Sequence, residues 1–412
     1  MNENIVMIAQ SRYSRDNRVR RYAEALVEAG NYVDVISLVD NDEANIYSLN
    51  NVMVHQVPIY RQKRSALRYV WECFAFLLFA FFKLTRLYFK KRYSVVHVHN
   101  MPNFLVFSAI IPKLFGAKII LDIHDPFPEL SEIKFGVSKN SFPGKILALE
   151  EKLSISFADH ILTPTEMVKR NLLRKGYAEE KVSVVVNIAD SKIFDPGLVN
   201  EHPRIGHDVF FRFLFAGTVS RRNGLHNVFE ALLLLKDKIP GIRYRIVGRG
   251  DYLEELQRTV AASEAPELVE FVSSRTMEEI PAEILASDAI AWFPERNNFI
   301  DLALSVKVME ALNMGKPVLS VSTECHEYYF DEGEVLFTAS SNPSEIASAI
   351  LNLYRNYQEL QPTAEDTRRF IAKFNLEKEM AGYFRLITDL LQIEAPQQGV
   401  EEKQIPEEFF EI

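Results

Sequence analysis

Short runs of aliphatic and β-branched residues alternate with helical stretches along almost the whole chain, and the alternation occurs twice. In the first half the strand candidates are Ile5–Ala9, Val33–Leu38, Val52–Val57, Val95–Val98, Lys118–Asp122, His160–Thr163 and Val182–Val186. Segments with apolar residues three and four apart, such as Arg18–Ala29 and Met167–Lys175, fall between most of them. Strands separated by helices pair in parallel through right-handed crossovers. The second half repeats the pattern with Phe211–Ala216, Arg243–Val247, Val269–Val272, Ala289–Phe293 and Pro317–Val321. Between the halves, residues 196–207 begin with Pro196-Gly197 and include Pro203 and Gly206, which reads as a linker. A chain of 412 residues also exceeds the size at which one core keeps growing. The expectation is therefore α/β: two doubly wound, Rossmann-like parallel-sheet domains, residues 1–195 and 208–375. Residues 376–393 form an amphipathic helix expected to cross back to the first domain. The glutamate-rich tail 394–412 is expected to be poorly ordered.

In such sheets ligands bind beyond the carboxyl ends of the strands, so a cleft between the domains is the expected site. A dinucleotide-dependent dehydrogenase is the rival for this architecture. The segment after the first strand, Gln10 to Asp16, holds no glycine, so the close backbone approach to a pyrophosphate is missing there. A net charge of −9 excludes nucleic acid as a partner, since that needs a cationic footprint. The two cysteines, Cys73 and Cys325, stand in no metal-ligand spacing and fit a reducing compartment. The N-terminus lacks a basic region followed by a long apolar core, so a cytoplasmic protein is expected.

Several segments, in order, carry a resemblance. They are Asp16-Asn17-Arg18, Val95-Val96-His97-Val98-His99-Asn100, Ile123-His124-Asp125, Ala158-Asp159-His160 and Asn187-Ile188-Ala189-Asp190. In the second half follow Phe215-Ala216-Gly217-Thr218, Ile246-Val247-Gly248-Arg249-Gly250 and Lys307-Val308-Met309-Glu310 running on to Gly315-Lys316-Pro317. With these motifs the chain resembles the retaining glycosyltransferases of family 4, which have the GT-B fold, along nearly its whole length.

The resemblance implies a nucleoside-diphosphate-sugar donor held by the second domain and a glycan or lipid-linked glycan acceptor on the side of the first. Transfer breaks the bond between the anomeric carbon and the diphosphate. The growing negative charge then needs cations, backbone N–H groups or helix N-termini. Gly217, Thr218, Arg221 and Arg222 lie on one strand-to-helix loop, and Gly248 and Arg249 on another. In the family the first loop carries an arginine after its first glycine and a lysine before the second. Here Thr218 and Asn223 stand there, so Arg222 is the substitute expected. Glu310 takes the family's ribose-binding role. Its helix is expected from about Leu304 to Asn313, with Ala303 through Val306 (Ser305 and Val306 above all) presenting free N–H groups at its start, and Lys307 points either to the phosphates or to solvent. Many members have a glutamate eight positions before Glu310, where this chain has Leu302. The chain is closer to the branch with the Lys-x-x-Glu pattern alone. In the first domain His124 is the residue the family places near the sugar and phosphate. His99, Asn100 and Asp125 are acceptor-side candidates at strand ends. Asp122 and Asp125 do not form the Asp-x-Asp arrangement of metal-dependent transferases, so no metal or other cofactor is expected. A sugar-nucleotide 2-epimerase and a partner subunit that binds nucleotide without turnover are the competing readings.

Residues 61–92 combine nine basic residues with one acid, Glu72, around the aromatic run Tyr69 to Phe82. That core is shorter than the ~20 residues of a spanning helix. It reads either as a helix lying on anionic lipid or as one packed on the first sheet with its basic ends in water.

Overall fold

The computed structural model describes residues 2–40, 45–59, 66–195, 197 and 210–392. The sequence expectations for the linker 196–207 (Gly197 apart), for Arg61, Lys63 and Arg64, and for the tail 394–412 therefore fall outside the described residues.

The first sheet contains β1 (Asn4–Ala9), β2 (Tyr32–Leu38), β3 (Ile46–Leu49), β4 (Val52–Val57), β5 (Val95–His99), β6 (Lys118–Asp122), β7 (His160–Thr163) and β8 (Val182–Val184). Their order is β3-β4-β2-β1-β5-β6-β7-β8, with every pair parallel except β3 against β4. β1 and β5 are buried along almost their whole length, as expected for central strands covered on both faces. The chain order reverses between β1 and β5, which opens a crevice at their carboxyl ends.

The second sheet contains β9 (Phe211–Thr218), β10 (Ile242–Arg249), β11 (Val269–Val272), β12 (Ala289–Trp292), β13 (Val318–Val321) and β14 (Leu336–Thr338). It is wholly parallel in the order β11-β10-β9-β12-β13-β14, with its own reversal between β9 and β12. Two strands were not anticipated, β3 and β14. Both are short edge strands whose residues are mostly half-exposed, so neither shows a clear apolar run.

The helix Leu376–Leu391 starts on an Asn375 cap and packs Met380, Tyr383 and Ile387 into the core formed by Ile5, Met7 and Tyr22 of the first domain. Glu379 there accepts the Val186 N–H at 2.8 Å. The last helix among the described residues thus fastens to the first domain. Ala66–Lys91 forms one helix of 26 residues. Among the described residues no helix is long and apolar enough to cross a membrane.

Candidate active site

Both crevices open into one cleft of about 800 Å³ lined by the two domains. From the second domain it receives Gly217, Thr218, Gly248, Arg249, Val306, Lys307 and Glu310; from the first, Arg18, Arg21, His124, Asp125 and the loop Asn187–Asp190.

β9 and β10 run side by side to their carboxyl ends, pairing Gly248 with Gly217. A Cβ on Gly248 would overlap the Gly217 carbonyl, and one on Gly217 would stand 2.6 Å from Cε of Lys307. Packing against backbone therefore requires Gly248, and a φ of +150° favours glycine at 217, so both bring bare backbone to the cleft. Lys307 is half-buried, with its ammonium 5.6 Å over the rings of both Phe215 and Trp292. Of the two orientations open in the sequence, the structure has the inward one.

The helix Val306–Asn313 has Ser305 at its N-cap position and starts two residues later than the Leu304 expected. Val308 and Met309 N–H groups already bond to the Ser305 carbonyl, whereas the first N–H groups of a helix have no partner within it. The Ser305 hydroxyl is buried and unpartnered. Glu310, one turn on, is 8% exposed and lines the cleft among the buried Val308, Met309 and Leu312. Burial pushes its carboxyl upward, opposed by the charge of Lys307, and burial pushes the Lys307 ammonium downward. Both shifts have the same physical cause, loss of solvation at the cleft wall, and each group's charge opposes the shift of the other.

The other candidates of the first loop are placed differently. Arg221 points to solvent, paired with Glu255 at 3.0 Å, and does not line the cleft. Arg222 is exposed, its guanidinium 5.6 Å over Phe299, a cleft residue. Asn223 is buried: it donates to Thr218 O at 2.7 Å and to Ser220 Oγ at 3.1 Å, and accepts from Trp292 Nε1 at 3.1 Å. It holds the loop in place and supplies no charge.

In the first domain, His99 and Asn100 do not reach the cleft as expected; both are buried beneath it. Asn100 ties the loop down, donating to Asp125 O at 2.7 Å and accepting the His124 N–H at 2.9 Å. His99 supports His124 from behind, Nδ1 to Nε2, at 3.0 Å. Under both lies a group the sequence did not reveal. Arg18, set on a helix capped by Asp16, donates to both oxygens of Asp122 at 2.8 and 2.9 Å. His124 Nε2 stands 3.2 Å, His99 Nδ1 3.3 Å and His97 Nε2 3.7 Å from Oδ2 of the same carboxylate. The His97 and His99 rings stack 4.2 Å apart, as their alternation along β5 implies, and His97 meets the Tyr383 hydroxyl at 2.8 Å. Burial alone would raise the Asp122 carboxyl, but Arg18 and His124 outweigh it and hold it well below the usual range. Burial pushes His99 well down and His97 down, which favours the neutral ring in each. Asp125, which lines the cleft, is raised by burial.

The linear sequence shows no metal-ligand cluster, but folding brings His97, His99 and Asp122 within 4.8 Å of one another. The donor set fits a cation poorly. Arg18 already occupies both carboxylate oxygens, and a metal ion there would sit against a guanidinium. Arg21 is a second residue the sequence reading missed. It donates to Ile188 O and Asn187 Oδ1, both at 2.8 Å, and so fixes the loop at the back of the cleft. Three arginines, Arg18, Arg20 and Arg21, within the first five residues of an otherwise amphipathic helix are the signal that was available.

This architecture defines a class: two facing doubly wound domains of the GT-B type, with charged groups on the loops at the strand ends. Residues 16–192 match the family model Glycosyltransferase Family 4, and residues 205–370 match Glycosyl transferases group 1. The chain belongs to the GT-B glycosyltransferases that join these two domains. Solved structures agree in fold. Sucrose-phosphate synthase from Thermosynechococcus elongatus superposes with a TM-score of 0.73 at 17% identity, covering 95% of this chain and 100% of that one. HepE from Anabaena, solved with UDP and glucose, gives 0.71 at 15% identity over 94% and 100%. WaaG, a glycosyltransferase involved in lipopolysaccharide biosynthesis, gives 0.66 at 15% over 93% and 99%. No curated protein matches by sequence.

Proposed function

We propose that the protein transfers a sugar from a nucleoside-diphosphate-sugar, with retention, to a glycan or lipid-linked glycan acceptor in the synthesis of a surface polysaccharide or glycoconjugate. The observation that carries this reading is the pair Lys307 and Glu310, one helical turn apart and both lining the cleft, with Lys307 against the Gly217 backbone. Glu310 accepts the ribose hydroxyls. The diphosphate lies against Gly217, Thr218 and Gly248, where Lys307, Arg249 and the N–H groups of Ser305, Val306 and Lys307 meet its charge; Arg222 adds to this at the mouth. The bond from the anomeric carbon to the phosphate oxygen breaks, and the acceptor oxygen bonds to that carbon from the same face. The acceptor proton passes to the departing phosphate oxygen. His124 and Asp125 face the sugar and the acceptor. These side chains supply the countercharge, so the reading calls for no metal or cofactor.

The reaction is placed at the cytoplasmic face of a membrane, with residues 61–92 in peripheral contact with lipid. A second reading keeps nucleotide binding but not turnover. It is favoured by Leu302, buried and apolar where many relatives carry a glutamate, and by Asn223, which is wholly engaged in holding its loop.

A thermal-shift screen against nucleotide sugars identifies the donor, because a tight ligand stabilises the fold by mass action. Transfer assays with that donor and an acceptor panel, read by proton NMR, then show the anomeric configuration. Retention is expected. An inverted product overturns the stereochemical assignment. Stabilisation without turnover on any acceptor favours the non-catalytic subunit, and interconversion of the donor alone indicates an epimerase.

A further inference from the structure

Two helices of the first domain turn a run of large apolar side chains to solvent, and one of them carries its hydrophobic pattern inside out. In Phe142–Phe157 the exposed side chains include Phe142, Ile146, Leu149 and Leu153, spaced four, three and four apart on one stripe, with Lys145 and Lys152 beside it. The acids of this helix turn inward: Glu150 accepts from Asn103 at 3.1 Å, and Glu151 pairs with Lys175 at 2.8 Å. A helix on a water-facing surface has the opposite arrangement. Ala66–Lys91 is apolar on both faces: it buries Phe76, Ala80, Leu84 and Tyr88 in the core and still exposes a second apolar row. Trp71, Phe74, Leu78, Phe82 and Phe89 are exposed, Trp71 by 71% and Phe82 by 67%, while its acid, Glu72, is buried beside Arg68 at 3.1 Å.

The two helices flank one strip. Phe74 stacks on Phe104 with ring centres 5.1 Å apart, and Phe107 meets Phe157 at 5.3 Å. Leu114 and Phe115, 75% and 57% exposed, extend the strip, with Phe115 against Phe89 at 5.6 Å. Fourteen of the 21 large hydrophobic side chains exposed among the described residues lie on these three segments, so they form one apolar surface rather than scattered instances. Every charged residue at an exposed position of the two helices is basic.

We infer that helix Phe142–Phe157, the strip 103–115 and helix Ala66–Lys91 together form a platform that docks onto an anionic lipid bilayer. The inference rests on the reading of 61–92 as a membrane contact and extends it to a surface of three segments. Charge selects the occupant. A second copy docking by two-fold symmetry would set the same basic stripes against each other, whereas anionic headgroups neutralise them. The helices lie on the bilayer with aromatic rings at headgroup depth and lysines and arginines reaching phosphates. The surface belongs to the domain that bears His124 and Asp125, so docking brings the acceptor side of the cleft near lipid.

Co-sedimentation of the full chain with phosphatidylcholine vesicles, with and without phosphatidylglycerol, tests this. The chain is expected to bind the anionic vesicles at least about fivefold more tightly for each cation engaged. Leu149→Gln with Leu153→Gln is expected to weaken binding about tenfold or more, as is Trp71→Gln with Phe82→Gln. All four residues are about half-exposed or more, so the fold persists, and stabilisation by a nucleoside diphosphate stays unchanged as an independent check on the donor site. If only the Trp71/Phe82 variant loses binding, the platform is overturned and the single-helix contact stands. If the parent binds no vesicle, both fall while the donor reading is untouched. Equal binding to neutral vesicles overturns the anionic assignment, and lipid-free self-association abolished by either variant assigns the surface to a second copy.

Discussion

Replacing Glu310 with glutamine separates the cost of this acid in the empty protein from its value in the complex. Glutamine keeps the shape of the side chain and one acceptor but loses the charge. In the complex, hydrogen bonds from two ribose hydroxyls to a carboxylate are worth about 1.5–3 kcal/mol each against about 1 for neutral bonds. The exchange therefore removes about 3 kcal/mol, on the order of a hundredfold in Kd. In the empty protein the sign reverses. Burial raises this carboxyl above its unfolded value, so the folded chain holds the proton more tightly than the unfolded chain does. Below the ordinary carboxylate range Glu310 is neutral in both states and costs nothing. As pH rises toward neutrality the ionised form increasingly penalises the fold. Glu310→Gln should match the parent in stability at low pH and exceed it at pH 8 by about 1 kcal/mol once the attraction lost to Lys307 is counted. Calorimetric titration with nucleoside diphosphates and thermal melts across pH measure both quantities. Unchanged nucleotide affinity refutes the ribose role. A variant less stable than the parent at pH 8 refutes the claim that this acid is held at a cost for its ligand.

Lys307→Met should preserve the fold and lower kcat by about a hundredfold, the usual loss when one stabilising donor to a leaving group is removed; steady-state kinetics with the matched donor reads this. Gly248→Ala should destabilise by about 2 kcal/mol or more, since its Cβ would overlap the Gly217 carbonyl and backbone must move; denaturant melts measure it. Asp122→Asn should destabilise by about 3–5 kcal/mol because Arg18 is left as an uncompensated buried charge. The Asp122 carboxyl lies below its unfolded range, so its contribution is present above that range and lost as pH falls through the folded value. The gap between parent and variant should therefore close only in strong acid.

The alternation of strand and helix was legible because both central sheets are fully covered, and full burial leaves long apolar runs. The edge strands β3 and β14 escaped because they are short and mostly only partly buried, so neither leaves an apolar run of strand length. The glycine motifs were readable locally: Gly217 and Gly248 stand at the ends of strands, and helices begin soon after. Lys307 was not readable. Its stem suits either solvent or an aromatic face, and only the position of Phe215 and Trp292 decides between them. The alternation of His97 and His99 showed a shared face but not its depth, so His99 was expected in the cleft although it lies one layer below. The Arg18–Asp122 pair joins residues 104 positions apart, and no local pattern announces it. Local chemistry was thus visible in the chain, while the supports that orient it depend on packing.

The most direct test of the central claim is a crystal structure of the protein with its nucleoside diphosphate bound. The account predicts ribose hydroxyls on Glu310 and the diphosphate between the Gly217–Thr218 backbone and Lys307. A nucleotide bound elsewhere, or one whose ribose leaves Glu310 without a partner, would contradict it.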